Sequence, residues 1–160
     1  MRRVTTIGVY GWSVERFINA LQEAGAVQLL DVRQRRGVRG SEYAWANSKR
    51  LQAALAEAAI EYRHLPELAP TTELRHLQYA EDARQGVGKR SRAELAPEYV
   101  ERYTRERLDR VALAPIVEDM PEDGAAALFC VERDPEACHR SLIAERIHSE
   151  FGLPLEHIRP

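Results

Sequence analysis

Val27-Gln28-Leu29-Leu30-Asp31-Val32 is a continuous apolar run that carries a carboxylate near its end. A run of this kind is typical of a strand buried on both faces, as in a parallel sheet. It is preceded by a second apolar segment, residues 4–9, and by an amphipathic helix that Ser13 caps and Gly25 ends. The three segments predict a β-α-β unit, for which a right-handed crossover is expected.

The same alternation continues along the chain. Further strands are predicted over residues 60–65, 125–131 and 155–158. Helices are predicted over residues 48–59 and 74–83, from Pro97 until Pro115 kinks or ends it, and from Pro135 to Phe151. This order predicts a doubly wound, mainly parallel sheet of about five strands with helices on both faces. We expect residues 1–160 to form a single α/β domain.

Composition narrows the class of protein. With 44% hydrophobic and 30% charged residues, the chain is not intrinsically disordered. A formal charge of −2 provides no overall attraction to nucleic acid or membrane. No apolar run is long enough for a signal peptide or a membrane helix, and the two cysteines do not make a disulfide framework. We therefore expect a cytoplasmic protein, without membrane association and without a cofactor.

Candidate site residues cluster at one edge of the predicted sheet. Open parallel sheets bind ligands outside the carboxyl ends of their strands. The segments Gly8–Ser13, Asp31–Arg39 and Cys130–Arg140 should converge there. This edge of the sheet is therefore the predicted location of a ligand-binding or catalytic site.

Arg140 begins a helical stripe that is otherwise apolar and continues through Ile143, Ala144, Ile147 and Phe151. This position should direct its guanidinium toward the end of the sheet rather than into solvent. One interpretation is a ligand-binding arginine for phosphate or carboxylate. The other is a structural ion pair with Asp31 or Glu136.

The first strand-to-helix turn is a candidate ligand cradle. Gly8, Tyr10 and Ser13 lie in it, although the turn matches neither the dinucleotide fingerprint nor the P-loop. Arg33, at the end of the second strand, is the second candidate anion clamp. Asp31 is interpreted as a catalytic base or as a ligand of a metal or ribose hydroxyl and, equally, as a residue that holds Arg140 or a neighbouring loop.

Cys138 and His139 are the remaining catalytic candidates. Cys138 is expected in the second turn of the last helix, where the helix dipole lowers a thiol pKa; the alternative is a buried apolar residue. His139 is interpreted as an acid or base, or as an exposed imidazole. Cys130 is interpreted as a core residue. The spacing of these three residues is not that of a common zinc site, so no metal is predicted.

An arginine-rich loop follows the second strand. Arg35, Arg36 and Arg39 precede Tyr43 and Trp45, a combination of basic and aromatic residues typical of nucleic-acid contacts. The alternative is a solvated loop, which the near-neutral charge of the chain favours.

Several motifs together resemble the domain of unknown function 488 family. In chain order they include Thr6-Ile7-Gly8, Leu30-Asp31-Val32-Arg33, His64-Leu65-Pro66-Glu67-Leu68 and the long segment from Cys130 to Cys138-His139-Arg140. The resemblance implies an α/β fold and a pocket shared by the Asp-Val-Arg and Cys-His-Arg segments, but no reaction. Val9 stands where members commonly have histidine, which implies that any activity dependent on that histidine is lost or altered here.

Two functions from different classes follow. The first is an enzyme that acts on a phosphate-bearing small molecule, nucleotide or nucleic-acid component at the sheet edge. The second is a non-catalytic module that binds nucleic acid or a protein through the Arg33–Arg39 loop. A convergent pocket favours the first function, whereas separated charges on an open surface favour the second.

Overall fold

Five strands form one parallel sheet in the computed structural model, which describes residues 1–160. The strands are β1 (Arg2–Ile7), β2 (Ala26–Asp31), β3 (Glu61–His64), β4 (Gly124–Phe129) and β5 (Leu155–His157). Their spatial order is β3-β2-β4-β1-β5, and every pair is parallel. The predicted fold class is confirmed, as is the placement of the first four strands in a single parallel sheet.

Six α-helices connect or follow the strands: α1 (Val14–Glu23), α2 (Ser48–Glu57), α3 (Thr72–Gln85), α4 (Pro97–Glu106), α5 (Leu113–Asp119) and α6 (His139–Phe151). Helix α1 contacts α2, and α4 contacts α6. Right-handed crossovers over this strand order place the first pair on one face of the sheet and the second pair on the other. None of these helices has the length and hydrophobicity needed to cross a bilayer.

Strand β4 forms the centre of the core. Residues 125–129 are completely buried, as expected for a strand covered on both faces. Phe129, at its carboxyl end, packs edge-on against Phe17 of α1, with ring centroids 5.5 Å apart. The start of α1 is fixed by Ser13, whose hydroxyl oxygen accepts a hydrogen bond from the Arg16 amide at 3.3 Å.

The region after Pro97 differs from the prediction of one long helix. Helix α4 ends at Glu106, a 3₁₀ turn covers Leu108–Arg110, and α5 begins at Leu113. Pro115 was expected to kink or end a helix, but it lies in the first turn of α5. The prediction failed because a proline in a first turn removes only an amide that has no partner within the helix.

The last helix also begins later than predicted. Pro135–Ala137 is a separate 3₁₀ turn, and Cys138 has extended backbone dihedrals (φ −140°, ψ 145°), so α6 starts at His139. Cys138 is therefore the residue that precedes the helix, and its expected place in the second turn is wrong.

The chain leaves β2 and β4 in opposite directions. From β2 it runs through α2 to the edge strand β3, whereas from β4 it runs through α6 to β5 at the other edge. Because β2 and β4 are neighbours, a crevice opens between their carboxyl ends, which is the usual ligand position in open α/β sheets.

Candidate functional site

Two thiols and an imidazole meet at this crevice. Cys130 follows β4, and Cys138 and His139 begin α6. The Nδ1 atom of His139 lies 3.8 Å from the Sγ atom of each cysteine. The three groups are buried, and their potential ligand atoms all lie within 4.8 Å of one another. We call these residues the thiol–imidazole cluster.

The imidazole orientation is set by the neighbouring strand. His139 Nε2 lies 2.8 Å from the carbonyl oxygen of Val32, the residue after β2. A carbonyl only accepts hydrogen bonds, so Nε2 carries a proton and donates. In a neutral imidazole, Nδ1 is then the unprotonated nitrogen, and it faces the two sulfur atoms.

The two thiols have opposite pKa shifts. Burial and the neighbouring Cys138 raise the pKa of Cys130 well above its ordinary value. Burial alone would also raise the pKa of Cys138, but a hydrogen bond from Cys130 and the charges of His139 and Arg140 lower it well below its ordinary value. Burial acts to lower the pKa of His139, but the charge and hydrogen bond of Cys138, the hydrogen bond to the Val32 carbonyl and the charge of Glu132 together outweigh burial and raise it. The cluster therefore favours negative charge on Cys138.

A carboxylate lies next to the cluster. Glu132 Oε2 is 3.6 Å from Cys130 Sγ, and Oε1 is 3.3 Å from Arg92, which also pairs with Asp82 at 2.8 Å. All of these side chains are buried. Burial and the charge of Cys138 raise the pKa of Glu132. Arg92 additionally donates to the Ala137 carbonyl at 3.0 Å, so it connects Glu132 to the turn that precedes Cys138.

Arg140 is fully buried and holds the loop between β4 and α6. It donates to the carbonyl oxygens of Glu132 at 2.7 Å and Arg133 at 3.2 Å. The predicted structural ion pair is wrong, because Asp31 pairs with Arg33 and Glu136 with Arg159. The backbone carbonyls, which the sequence pattern did not indicate, are the acceptors instead.

Asp31 and Arg33 form a buried ion pair with two contacts at 2.9 Å. Asp31 also accepts hydrogen bonds from the Arg33 amide at 3.1 Å and the Tyr62 hydroxyl at 2.7 Å. Arg33 donates further to the Ala46 carbonyl at 2.9 Å and lies over the Phe129 ring at 4.7 Å. Each group is already satisfied within the protein, which indicates a structural role for the pair.

The thiol–imidazole cluster and Glu132 open onto a cleft of about 910 Å³. Seven of the side chains that line it are arginine or lysine, whereas Glu132 is the one carboxylate in the lining. The cationic residues are Arg33, Arg35, Arg39, Arg75, Lys89, Arg90 and Arg92. The cleft is therefore strongly electropositive although the chain as a whole is slightly acidic.

Several of these cations have no carboxylate partner. Arg35, Arg39, Arg75 and Lys89 make no ion pair, in contrast to Arg92. Burial acts to lower the pKa of Lys89, but the charges of Glu132 and nearby groups outweigh it and raise the pKa. These four side chains are available to an anionic ligand.

The structure brings only some of the predicted site residues to the cleft. Those that line it are Tyr10, Arg33, Arg35, Arg39, Cys138 and His139, whereas Gly8, Ser13, Asp31, Arg36 and Arg140 lie outside its lining. Ser13 caps α1, and Arg36 donates to the Tyr62 hydroxyl at 3.4 Å. The ligand and catalytic roles assigned from sequence remain predictions.

Sequence reasoning missed several members of the site, among them Glu132, Arg75, Lys89 and Cys130, which was interpreted as a core residue. Glu132 lies two residues after Cys130, so the motif itself contained it. Arg75 and Lys89 come from α3 and the segment that follows it, where the sequence is polar and weakly patterned. No local signal distinguished them from surface residues.

Comparison with known proteins gives a family but no closer relative. A family model described as "Domain of unknown function DUF488" matches residues 13–147. No curated protein matches the chain, and no solved structure matches it. The matched range contains both cysteines, His139 and the cationic residues of the cleft.

Proposed function

Because the chain belongs to the DUF488 family, whose description supplies no reaction, we propose a function from the site itself: an enzyme that acts on a phosphate-bearing small molecule or nucleotide. The observation that carries the proposal is the thiol–imidazole cluster in the wall of a cleft whose charged lining is almost entirely cationic. Reactive groups and anion-binding groups thus share one cavity.

The position and size of the cleft support this proposal. It lies where the chain leaves two adjacent parallel strands in opposite directions, the usual ligand site in this class of fold. Its volume, about 910 Å³, is within the range of small-molecule and cofactor sites.

The lining supports a phosphate group as the feature that is recognised. Arginine forks and lysine ammonium groups are the side chains that bind phosphate most strongly. Arg35, Arg39, Arg75 and Lys89 have no competing carboxylate, so phosphate oxygens do not have to displace an internal partner. The half-buried Tyr79 ring also lines the cleft and offers a surface on which a base can stack.

The reactive groups are those of the cluster. Cys138 provides a sulfur atom and His139 provides an imidazole beside it. The carboxylate of Glu132 lies next to Cys130. Both thiols are free, and we propose a reducing, cytoplasmic location in which they stay so.

The test is a thermal-shift screen against inorganic phosphate, nucleoside mono- and triphosphates and sugar phosphates. A ligand at 100 times its Kd stabilises the native state by about 2.7 kcal/mol, so binders raise Tm. Lys89→Gln and Arg75→Gln should remove the shift. The control Arg50→Gln, an exposed arginine of α2 outside the cleft, should retain it.

Turnover of each binder is then followed by mass spectrometry. We expect conversion by the wild-type protein and none by Cys138→Ser. Binding without conversion, or conversion that Cys138→Ser leaves unchanged, contradicts the enzyme proposal. Oligonucleotides are screened in parallel, and a response to them alone that is removed by neutralising Arg35 and Arg36 supports the non-catalytic binding module instead.

A further inference from the structure

We infer that Cys130, Cys138 and His139 form a binding site for a divalent transition metal, with zinc preferred, whose fourth coordination position faces the cleft. The use of that position on a substrate rests on the proposed function. Metal binding itself stands on the geometry of the three side chains.

The spacing of the donor atoms fits one shared metal ion. Zinc–sulfur bonds near 2.3 Å and zinc–nitrogen bonds near 2.0–2.1 Å place tetrahedral donors about 3.5–3.8 Å apart. His139 Nδ1 lies 3.8 Å from both sulfur atoms, and the whole set spans no more than 4.8 Å. The imidazole nitrogen is thus equally distant from the two sulfur atoms, as expected for donors arranged around one ion.

The surroundings of His139 match those of a metal ligand. A ligating histidine usually donates its other ring N–H to a carboxylate or backbone carbonyl, which fixes the tautomer. His139 does this through Nε2 to the Val32 carbonyl at 2.8 Å. The nitrogen that remains is the one that faces Cys130 and Cys138.

A buried cation lies close to Cys138 in the chain. Cysteine binds metal as the thiolate. Arg140 is completely buried, and its hydrogen-bond acceptors are the carbonyls of Glu132 and Arg133 rather than a carboxylate. Its positive charge, two residues after Cys138, is therefore not neutralised by an acid.

Three protein ligands at a cleft wall define the kind of site. Structural zinc sites are closed by four protein ligands, whereas catalytic sites have three and leave a position for water or substrate. The three ligands all line the cleft, and so does Glu132, whose Oε2 is 3.6 Å from Cys130 Sγ. Glu132 is therefore placed beside the centre as a carboxylate that contacts whatever occupies the fourth position.

Cobalt(II) provides a direct spectroscopic test on the full chain. The protein contains only two cysteines, so a thiolate-to-cobalt charge-transfer band can arise from Cys130 and Cys138 alone. We expect wild-type protein under reducing conditions to bind one cobalt ion per chain with this band and with tetrahedral d–d bands. Zinc should displace the cobalt, since it binds such sites more tightly.

Variants assign the ligands. Cys130→Ser, Cys138→Ser and His139→Gln should each weaken metal binding by more than the 10–100-fold that loss of an outer-sphere partner costs. His76→Gln is the matched control, because His76 also lines the cleft but lies outside the cluster. Its affinity should equal that of the wild type.

The decisive outcome needs no variant. If wild-type protein shows no charge-transfer band, and both thiols react with a thiol reagent at the same rate with and without zinc, the metal site is refuted. The two proposals fail separately. A cobalt band without any response in the phosphate screen supports the metal site alone, and a phosphate response without the band supports only the proposed substrate class.

Discussion

His139 donates a hydrogen bond from Nε2 to the carbonyl oxygen of Val32 at 2.8 Å, which joins residues that follow two adjacent strands. Val32 follows β2, whereas His139 begins the helix after the β4 loop. The bond fixes the orientation of the imidazole ring, so that Nδ1 faces the two sulfur atoms. The geometry of the thiol–imidazole cluster therefore depends on the pairing of β2 with β4, as well as on the local sequence of the cysteine-bearing loop.

Loss of one member of the Asp31–Arg33 pair should lower the free energy of unfolding more than expected from the loss of both. Arg33→Met alone leaves a buried carboxylate without its partner, which costs about 3–5 kcal/mol in free energy of unfolding. The double variant Arg33→Met, Asp31→Leu should recover much of this loss. Urea denaturation of the single and double variants measures the difference. A double variant as unstable as the sum of the two singles would show that the two residues act independently.

Replacement of Arg140 should destabilise the loop before α6. Arg140→Met leaves the carbonyls of Glu132 and Arg133 without a donor, and unsatisfied buried acceptors cost about 1–3 kcal/mol each. We expect a loss of about 2–6 kcal/mol in urea denaturation. Arg133→Met, at an exposed arginine of the same loop, should change stability by no more than about 0.5 kcal/mol. Equal losses in the two variants would contradict the role of Arg140 in holding this loop.

Gly8 should not accept even one methyl group. A Cβ atom at Gly8 would lie 1.9 Å from the Glu132 carbonyl oxygen, so the backbone of the loop would have to move. Overpacking of this kind typically costs about 1–3 kcal/mol or more, and Gly8→Ala should also displace Glu132 from the cluster. Gly88→Ala, where nothing lies within 4 Å, is the control for Tm. A normal Tm for Gly8→Ala would mean that the two segments are farther apart than described.

Stability should fall as pH drops below about 6.5, in part through His157. Burial and the charges of Arg140 and Arg159 lower its pKa below the ordinary 6.5, against weaker opposing effects of Glu136 and Glu145. The unfolded chain then binds the proton more readily than the folded chain, so acid favours unfolding in this window. Between about pH 7.5 and about pH 5.5, His157→Gln should lose less free energy of unfolding than the wild type. Identical pH dependence in urea denaturation would assign the effect to other groups.

The inner strands of the sheet were predictable from sequence because they are largely buried on both faces. The segment VQLLDV has few polar residues, since β2 lies between β3 and β4 under helices, and that environment leaves a clear pattern. The helix boundaries were less predictable. Pro115 and Pro135 both stand near helix starts, but only three-dimensional packing determines whether the backbone after each proline continues as a helix.

The site was predictable only in part. The Cys130–Arg140 segment contains the candidate residues Cys138, His139 and Arg140, but its spacing does not predict that Cys130 approaches Cys138 and His139. That approach depends on the extended backbone of Cys138 and on the 3₁₀ turn before it. Lys89 and Arg75 reach the cleft through tertiary contacts of a polar segment, so no local pattern indicated them.

The strand order also has a consequence for biosynthesis. Strands β1 and β2 do not pair with each other, because β4 lies between them, and β4 begins only at Gly124. In a nascent chain that has emerged as far as α5, β2 can pair with β3, but β1 has no partner and the strand that joins β1 to β2 is missing. The core therefore assembles only after the ribosome has released most of the chain, and until then these strands are exposed to aggregation and to chaperones.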